Sequence, residues 1–305
     1  MDKIVAALET VLPVFLALFL GAWCRSRRFL NREGVDAMKK VVLNLTLPFV
    51  LLNAFATAEY SASALILPAV VFLLCCLALL LGHLLVGRKT RILGFLASGF
   101  EAGMLGYALF TMIFPHESIS SFAILDLGQT LFVFPLFKIL LSGKKDWKAI
   151  GKDMITTPIL WAVAAGVLIG ATGLYGKLTE WGVSGILDST TGFLSAPTAM
   201  IILLTVGFDL VLKEIPWKKT AALIAMRLGV MAVLTGIVIL LNRTVLNGMI
   251  FEGAAILMFI LPPPYVIPVF ADEPDQRVQV SAALSAMTVA TMVLFAIFGA
   301  LVNVL

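Results

Sequence analysis

The feature that most limits this chain is a series of apolar runs, each about long enough to cross a bilayer, separated by short charged loops. Hydrocarbon offers no partner to a backbone N–H or C=O, so only helices and closed barrels can span it. The runs are near 20 residues, the length of a helical span rather than the roughly ten-residue alternating strands of a barrel. They fall at about 4–24, 35–57, 62–86, 91–114, 118–141, 154–175, 190–212, 219–241, 249–270 and 278–304. The expectation is an all-α polytopic membrane protein of ten transmembrane helices, with lipid as its surroundings. Composition agrees: 61% of the residues are hydrophobic, 13% are charged and mean hydropathy is +1.05, far from the roughly 45–50% apolar and 25% charged of a soluble domain. The first run carries Glu9 and Pro13 and leads into a basic loop, which reads as a first span rather than a cleaved signal peptide.

The basic residues test the count independently. Seventeen of them, among them Arg25, Arg27, Arg28, Arg88, Lys89, Lys144, Lys145, Lys148, Lys213, Lys218 and Arg277, fall in the loops after odd-numbered runs, while the loops after even-numbered runs hold only Lys177 and Arg243. By the positive-inside rule this alternation places both termini on the non-cytoplasmic side of the cell membrane. The net charge of +4 therefore serves topology and implies no nucleic-acid partner. Cys24, Cys75 and Cys76 lie in or beside apolar runs, with no spacing that would hold a metal, and are expected as free thiols.

Division near Gly143 leaves five runs on each side, residues 1–143 and 144–305. An odd number inverts the second repeat relative to the first, a plan common among secondary transporters. Corresponding runs share features: Pro48 in Asn44-Leu45-Thr46-Leu47-Pro48 matches Pro197 in the seventh run. In the fourth, Gly99, Gly103 and Gly106 weaken the helix, and in the ninth Pro262, Pro263 and Pro264 end it. Two broken helices crossing at mid-membrane would bring half-helix termini and open carbonyls around one cavity, where anions and cations respectively can bind. The candidates for substrate contact are Asn44, Gly103, Gly106, Tyr107, Pro262, Pro263, Pro264 and Tyr265.

A charge at bilayer depth costs about 2.5–3.5 kcal/mol on insertion scales, which makes each one a functional candidate. Glu101 sits at the glycine-rich break, where a carboxylate can bind Na⁺ or exchange a proton, or can pair with a buried base for structure. Asp126, with Gln129 and Thr130 on neighbouring faces of the fifth run, either completes a cation or substrate site or forms a polar seam between helices. Glu101, Asp126 and Gln129 are the ion-coupling candidates. Arg227 either neutralises an anionic substrate or, the favoured reading, pairs with Asp209. Glu9, Asp188 and Glu252 are assigned to span ends, and Lys138 to a side chain snorkelling to the surface. Ser281, Ser285 and Thr288 recur at helical spacing and read as small-residue packing. His83 and His116 build neither HExxH nor a triad. No catalytic residue, cofactor or resident metal is expected, and the chain is not expected to be an enzyme. No GxxxxGK[ST] loop points to a pump.

Two motifs carry a resemblance. Phe100-Glu101-Ala102-Gly103-Met104-Leu105-Gly106-Tyr107-Ala108-Leu109 is similar to the F-N-x-G-x-x-G-x-P-L pattern of bacterial members of the auxin efflux carrier family, relatives of the plant PIN-formed proteins. The proline run, followed at Ala271 by a charged loop and then by Ala286-Met287-Thr288-Val289-Ala290-Thr291, resembles that family's P-x8-A and S-T-x-x-S ending. Ala196-Pro197-Thr198-Ala199-Met200 and Gly207-Phe208-Asp209-Leu210 are also similar, so the likeness covers essentially the whole chain. It implies crossed fourth and ninth spans, scaffold and transport domains each drawn from both repeats, elevator-type alternating access, a homodimer, and an organic anion such as a small carboxylate as substrate. Two positions depart from the pattern: Glu101 stands where the family has asparagine, and Ala108 where it has proline. A carboxylate at the crossover favours a site coupled to H⁺ or Na⁺, or a neutral, zwitterionic or cationic substrate. The alternatives are a sodium/bile-acid-symporter-like carrier, which has the same ten-span plan, and a membrane ligand sensor that binds without transporting.

Overall fold

The computed structural model describes residues 2–58, 60, 66–87, 91–142, 152, 155–210, 217–270 and 274–304. The division near Gly143 and the loop residues Arg88, Lys89, Lys144, Lys145, Lys148, Lys213 and Ala271 lie outside them. So do the side chains of Lys138 and Lys219.

The regular structure of the described residues is all helical, without strands. In chain order the helices are α1 (Asp2–Ser26), α2 (Arg32–Val41), α3 (Leu47–Ala56), α4 (Ile66–Val86), α5 (Arg91–Gly94), α6 (Tyr107–Ile113), α7 (Ile119–Leu131) and α8 (Lys138–Ser142). They are followed by α9 (Pro158–Ala171), α10 (Leu174–Glu180), α11 (Ser184–Ser195), α12 (Thr198–Asp209), α13 (Trp217–Thr244), α14 (Glu252–Ile260) and α15 (Pro274–Val304). Among the described residues, five stretches are long and apolar enough to cross a membrane: 66–86, 119–141, 184–209, 220–244 and 275–302. Two bent pairs raise the number to seven, one bent by 40° between 97 and 102 and one by 64° between 171 and 174. Of the remaining apolar runs, the first forms α1, apolar over Val11–Ser26, and the others appear as shorter or interrupted helices. α2 spends Arg32, Glu33, Asp36, Lys39 and Lys40 on a polar first half before α3 continues its course, and α14 stops at Ile260 because three prolines follow.

Most interruptions have a local cause. Pro48 has no N–H to give the carbonyl four residues back and its ring crowds that carbonyl, and a π turn over Val42–Thr46 joins α2 to α3 just before it. Pro135 does the same inside the π turn Phe132–Phe137 that joins α7 to α8. Gly173, at φ +68°, supplies the left-handed residue at the sharp corner between α9 and α10. The sixth run therefore ends earlier than the sequence implies, and a short helix turns away from it.

Helix contacts are made through small residues, as expected where lipid tails compete equally for apolar side chains. α1 lies against α12 with Gly21 over the Leu204 carbonyl and Gly207 over the Leu18 carbonyl, so each helix presents a glycine to the other's backbone. Gly128 of α7 meets the carbonyl of Pro68 in α4, and Gly166 and Gly170 seat α9 on α3. α13 packs on α4, α14 and α15. Large apolar side chains face outward along these helices, including Phe19, Leu73, Leu84, Trp161, Leu168 and Leu240, each at least 60% exposed. Such a surface would drive aggregation in water and is ordinary against lipid. Cys24 and Cys75 are buried free thiols, and Cys76 is half-buried and free.

A Cβ at Gly207 would lie 2.1 Å from the Leu18 carbonyl oxygen, whereas one at Gly176 would meet nothing within 4 Å. Gly207→Ala is expected to lower stability by about 1–3 kcal/mol through overpacking. Gly176→Ala is expected to leave it unchanged or raise it by about 0.5–1 kcal/mol. Melting of the two variants in detergent, each against wild type, checks the contrast.

Candidate functional site

The two interrupted helices meet. α5 runs through a tight turn at Phe95–Ala97 into an extended stretch at Ser98–Glu101, and a π turn at Ala102–Gly106 then starts the second half, which continues as α6. α14 ends at Ile260, Leu261 is extended (φ −61°, ψ 152°), and the chain resumes helical turns only at Ile267–Phe270. A single backbone bond, Glu101 N–H to the Pro262 carbonyl at 2.9 Å, links the two breaks directly. Gly99 sits at φ +69°, and a Cβ there would lie 2.9 Å from the Pro264 ring. It is thus a glycine both for its backbone conformation and for the closeness of the proline run.

Every break frees backbone groups, and two charged side chains take up five of them. Arg227 of α13, only 3% exposed, donates to the carbonyls of Leu96 (2.8 Å), Gly99 (2.9 Å) and Leu261 (2.7 Å). Those carbonyls belong to the C-terminal ends of the first halves of both interrupted helices, where the helix dipole is negative. Its guanidinium also lies 5.8 Å from the centre of the Phe100 ring, which stacks edge-on against Phe259. Glu101 does the converse with N–H groups: Oε1 accepts from Met104 N–H at 3.1 Å and Oε2 from Tyr265 N–H at 2.7 Å. Two hydroxyls complete the arrangement, Ser98 Oγ on the Cys75 carbonyl of α4 and Thr291 Oγ1 on the Ile260 carbonyl, each at 2.7 Å.

The expected pairing of Arg227 with Asp209 is corrected by this geometry. Asp209 instead accepts from Lys39 and from Arg32, the latter at 2.5 Å, across the α2/α12 contact. A guanidinium has five donors, and three open carbonyls close by satisfy it better than one carboxylate on another helix.

The crossover borders a cavity of about 720 Å³. Of the residues singled out from the sequence, Glu101, Gly103, Asp126, Gln129, Pro264 and Tyr265 line it together. Pro262 and Pro263 are buried behind that wall. A Cβ on Gly106 would meet Leu261 and Phe122 at 2.8 Å, so that glycine serves packing of the crossover. Tyr107 is buried and reaches the cavity only through Asp126, to which its hydroxyl donates at 2.9 Å. Asn44 is exposed, and its amide donates to the Lys40 carbonyl one turn back. Asp126 is 5% exposed and accepts a second bond from Gln129 Nε2 at 3.1 Å.

Sequence reasoning passed over several residues on the wall. Ser281, Ser285 and Thr288 of α15, read as a packing face, line the cavity, and the Thr288 hydroxyl lies 3.1 Å from that of Tyr265. Arg32, Lys39 and Asp209 also line it. The available signal was the helical period of the α15 hydroxyls. Among the described residues no group of three or more His, Cys, Asp and Glu side chains is placed to hold a metal ion.

Replacing Arg227 with Met would leave three buried carbonyls without a donor, at about 1–3 kcal/mol each. Arg227→Met is expected to lose more than about 3 kcal/mol or to fail to give monodisperse protein, with Arg227→Lys intermediate because an ammonium reaches fewer of the three. Melting temperature and size-exclusion profile in detergent check this, and wild-type stability in Arg227→Met would remove the role given to it here.

No family model matches the chain. It is similar to a protein named "uncharacterized transporter" from Methanothermobacter thermautotrophicus, 26% identical over 212 residues that make up 66% of this chain and 67% of that protein. With its long apolar helices, this likeness makes the chain a multi-pass helical membrane protein related to a transporter.

Proposed function

We propose that the chain is a secondary transporter that moves a small organic solute by alternating access, with the crossover of its two interrupted helices at the binding site. The observation that carries this reading is the junction itself: backbone that would be ruinous in lipid is held by buried charges beside a 720 Å³ cavity lined by ionisable and hydroxyl side chains. A packing kink needs neither the cavity nor the charges.

The finer reading follows the resemblance to the auxin efflux carrier family. It comprises ten spans as two inverted repeats of five divided near Gly143, an elevator motion of a transport domain against a scaffold, and a homodimer in the cell membrane with both termini outside the cytoplasm. The resemblance points to small organic solutes, carboxylates in the family at large, while Glu101, standing where the family has asparagine, with Asp126 and Gln129 beside it, favours coupling to H⁺ or Na⁺ or a neutral, zwitterionic or cationic solute. Supporting this are the paired interruptions in the fourth and ninth runs, the alternation of basic loops and the likeness to a transporter. The likeness to a transporter also argues against an enzyme.

In proteoliposomes, Glu101→Gln is expected to cut uptake of the transported solute at least tenfold while the protein stays folded, since the amide keeps the shape of the carboxylate but can satisfy only one of its two N–H donors. Pro263→Leu is expected to lower uptake more than expression. Uptake at the wild-type rate in both variants would remove the crossover from the transport mechanism.

A further inference from the structure

The charges at the crossover also bear on which part of a solute can bind there, an inference that rests on the proposed transport site and names its substrate class. Broken helices in carriers commonly offer backbone N–H groups to an anionic substrate. Here two of those donors are taken: the Met104 and Tyr265 N–H groups both point at the Glu101 carboxylate, which stands where a substrate carboxylate would sit. The Arg227 guanidinium is taken as well, because it is turned onto three carbonyls and does not line the cavity.

What this part of the wall presents is acceptors. Glu101 and Asp126 both line the cavity, and among the described residues neither forms an ion pair; their bonds come from neutral donors, namely two backbone N–H groups, the Tyr107 hydroxyl and the Gln129 amide. Each carboxylate oxygen receives one bond from the protein and retains capacity for another. Gln129 adds an independent sign. Its Nε2 is committed to Asp126, which fixes the orientation of the amide, and its Oε1 is a buried acceptor with no partner. Arg32 and Lys39, the basic side chains on the wall, are engaged with Asp209. A carboxylate pair in a half-dry cleft is stable when a cation or a strong donor reaches it.

We infer that the crossover side of the cavity binds an organic ammonium group, so that the solute is a small amine or amino acid whose carboxylate, where it has one, lies away from Glu101 and Asp126. The proposal is tested by binding to purified protein in detergent, read as the rise in melting temperature with concentration. The probes are size-matched sets sharing one carbon skeleton: a zwitterionic amino acid, the corresponding primary amine and the corresponding carboxylate, for skeletons of two to six carbons, together with NaCl against KCl. Amine-bearing members are expected to bind at least tenfold more tightly than the amine-free carboxylate of the same skeleton. In Glu101→Gln that preference is expected to fall at least tenfold, because the built-in anion is gone. Asp126→Asn serves the same purpose if Glu101→Gln does not fold. Tighter binding of carboxylates, a shift with Na⁺ but with no amine, or no binding by any amine to folded protein would each overturn the inference. Because binding is read without flux, amine binding in a protein that fails to take up solute would count against the transport reading alone.

Discussion

Everything near the centre of this molecule depends on keeping broken backbone satisfied where water is scarce. An interrupted helix leaves up to four carbonyls at one end and four N–H groups at the other. Two such interruptions meeting at one place would be untenable without partners. The chain answers with one full charge of each sign: Arg227 for carbonyls of both breaks and Glu101 for an N–H at each. The choice of sign follows from the helix dipole, which is negative at the C-terminal ends that Arg227 meets and positive where Glu101 accepts. Neither residue needs the other as a salt-bridge partner, since each charge is spread over several backbone dipoles.

The surrounding helices can hold this junction because they approach closely. Glycine against backbone at Gly21, Gly128 and Gly207 brings α1, α4, α7 and α12 together without large side chains between them. Gly82 of α4, over the Gly94 carbonyl, brings the first break close enough for Ser98 to reach the Cys75 carbonyl, and α13 packs on α4 and α14, which places Arg227 within reach of both breaks at once. Deeply buried arginine is affordable only where its donors are met, and here helix packing brings the carbonyls to it.

Much of this plan was legible in the sequence. The proline run had to end α14, and Gly99, Gly103 and Gly106 marked the partner break, because proline and glycine act on the backbone locally and need no tertiary knowledge. Glu101 was legible for its cost in lipid. The partner of Arg227 was not, because a sequence displays side chains and conceals free carbonyls; a pairing with Asp209 is the natural guess when only side-chain charges can be seen. Asn44 misled for a related reason. Its position just before Pro48 suggests a break pointing inward, whereas the π turn ahead of that proline absorbs the strain and leaves the amide on an exposed face. The hydroxyls of α15 were hidden by ambiguity, since serine and threonine at helical spacing serve packing and ligand binding with the same pattern.

The bonding pattern also bears on how the proposed cycle would move. The links at the crossover are short, numerous and charge-assisted, tying α5, α6, α13 and α14 to each other and, through Thr291, to α15. Part of the cavity wall, made by Leu47 and Leu51 of α3, Ile159 of α9 and Val206 of α12, is apolar, although Arg32, Lys39 and Asp209 also line the cavity, and Leu47 lies beside Gly103. Separating the two broken helices would expose several buried polar groups, at about 1–3 kcal/mol for each one left unpaired. Sliding them together past an apolar wall breaks none of those bonds and exchanges one van der Waals contact for another. In the proposed cycle the crossover would travel intact, and the charges that hold it shut would also fix the chemistry that it carries.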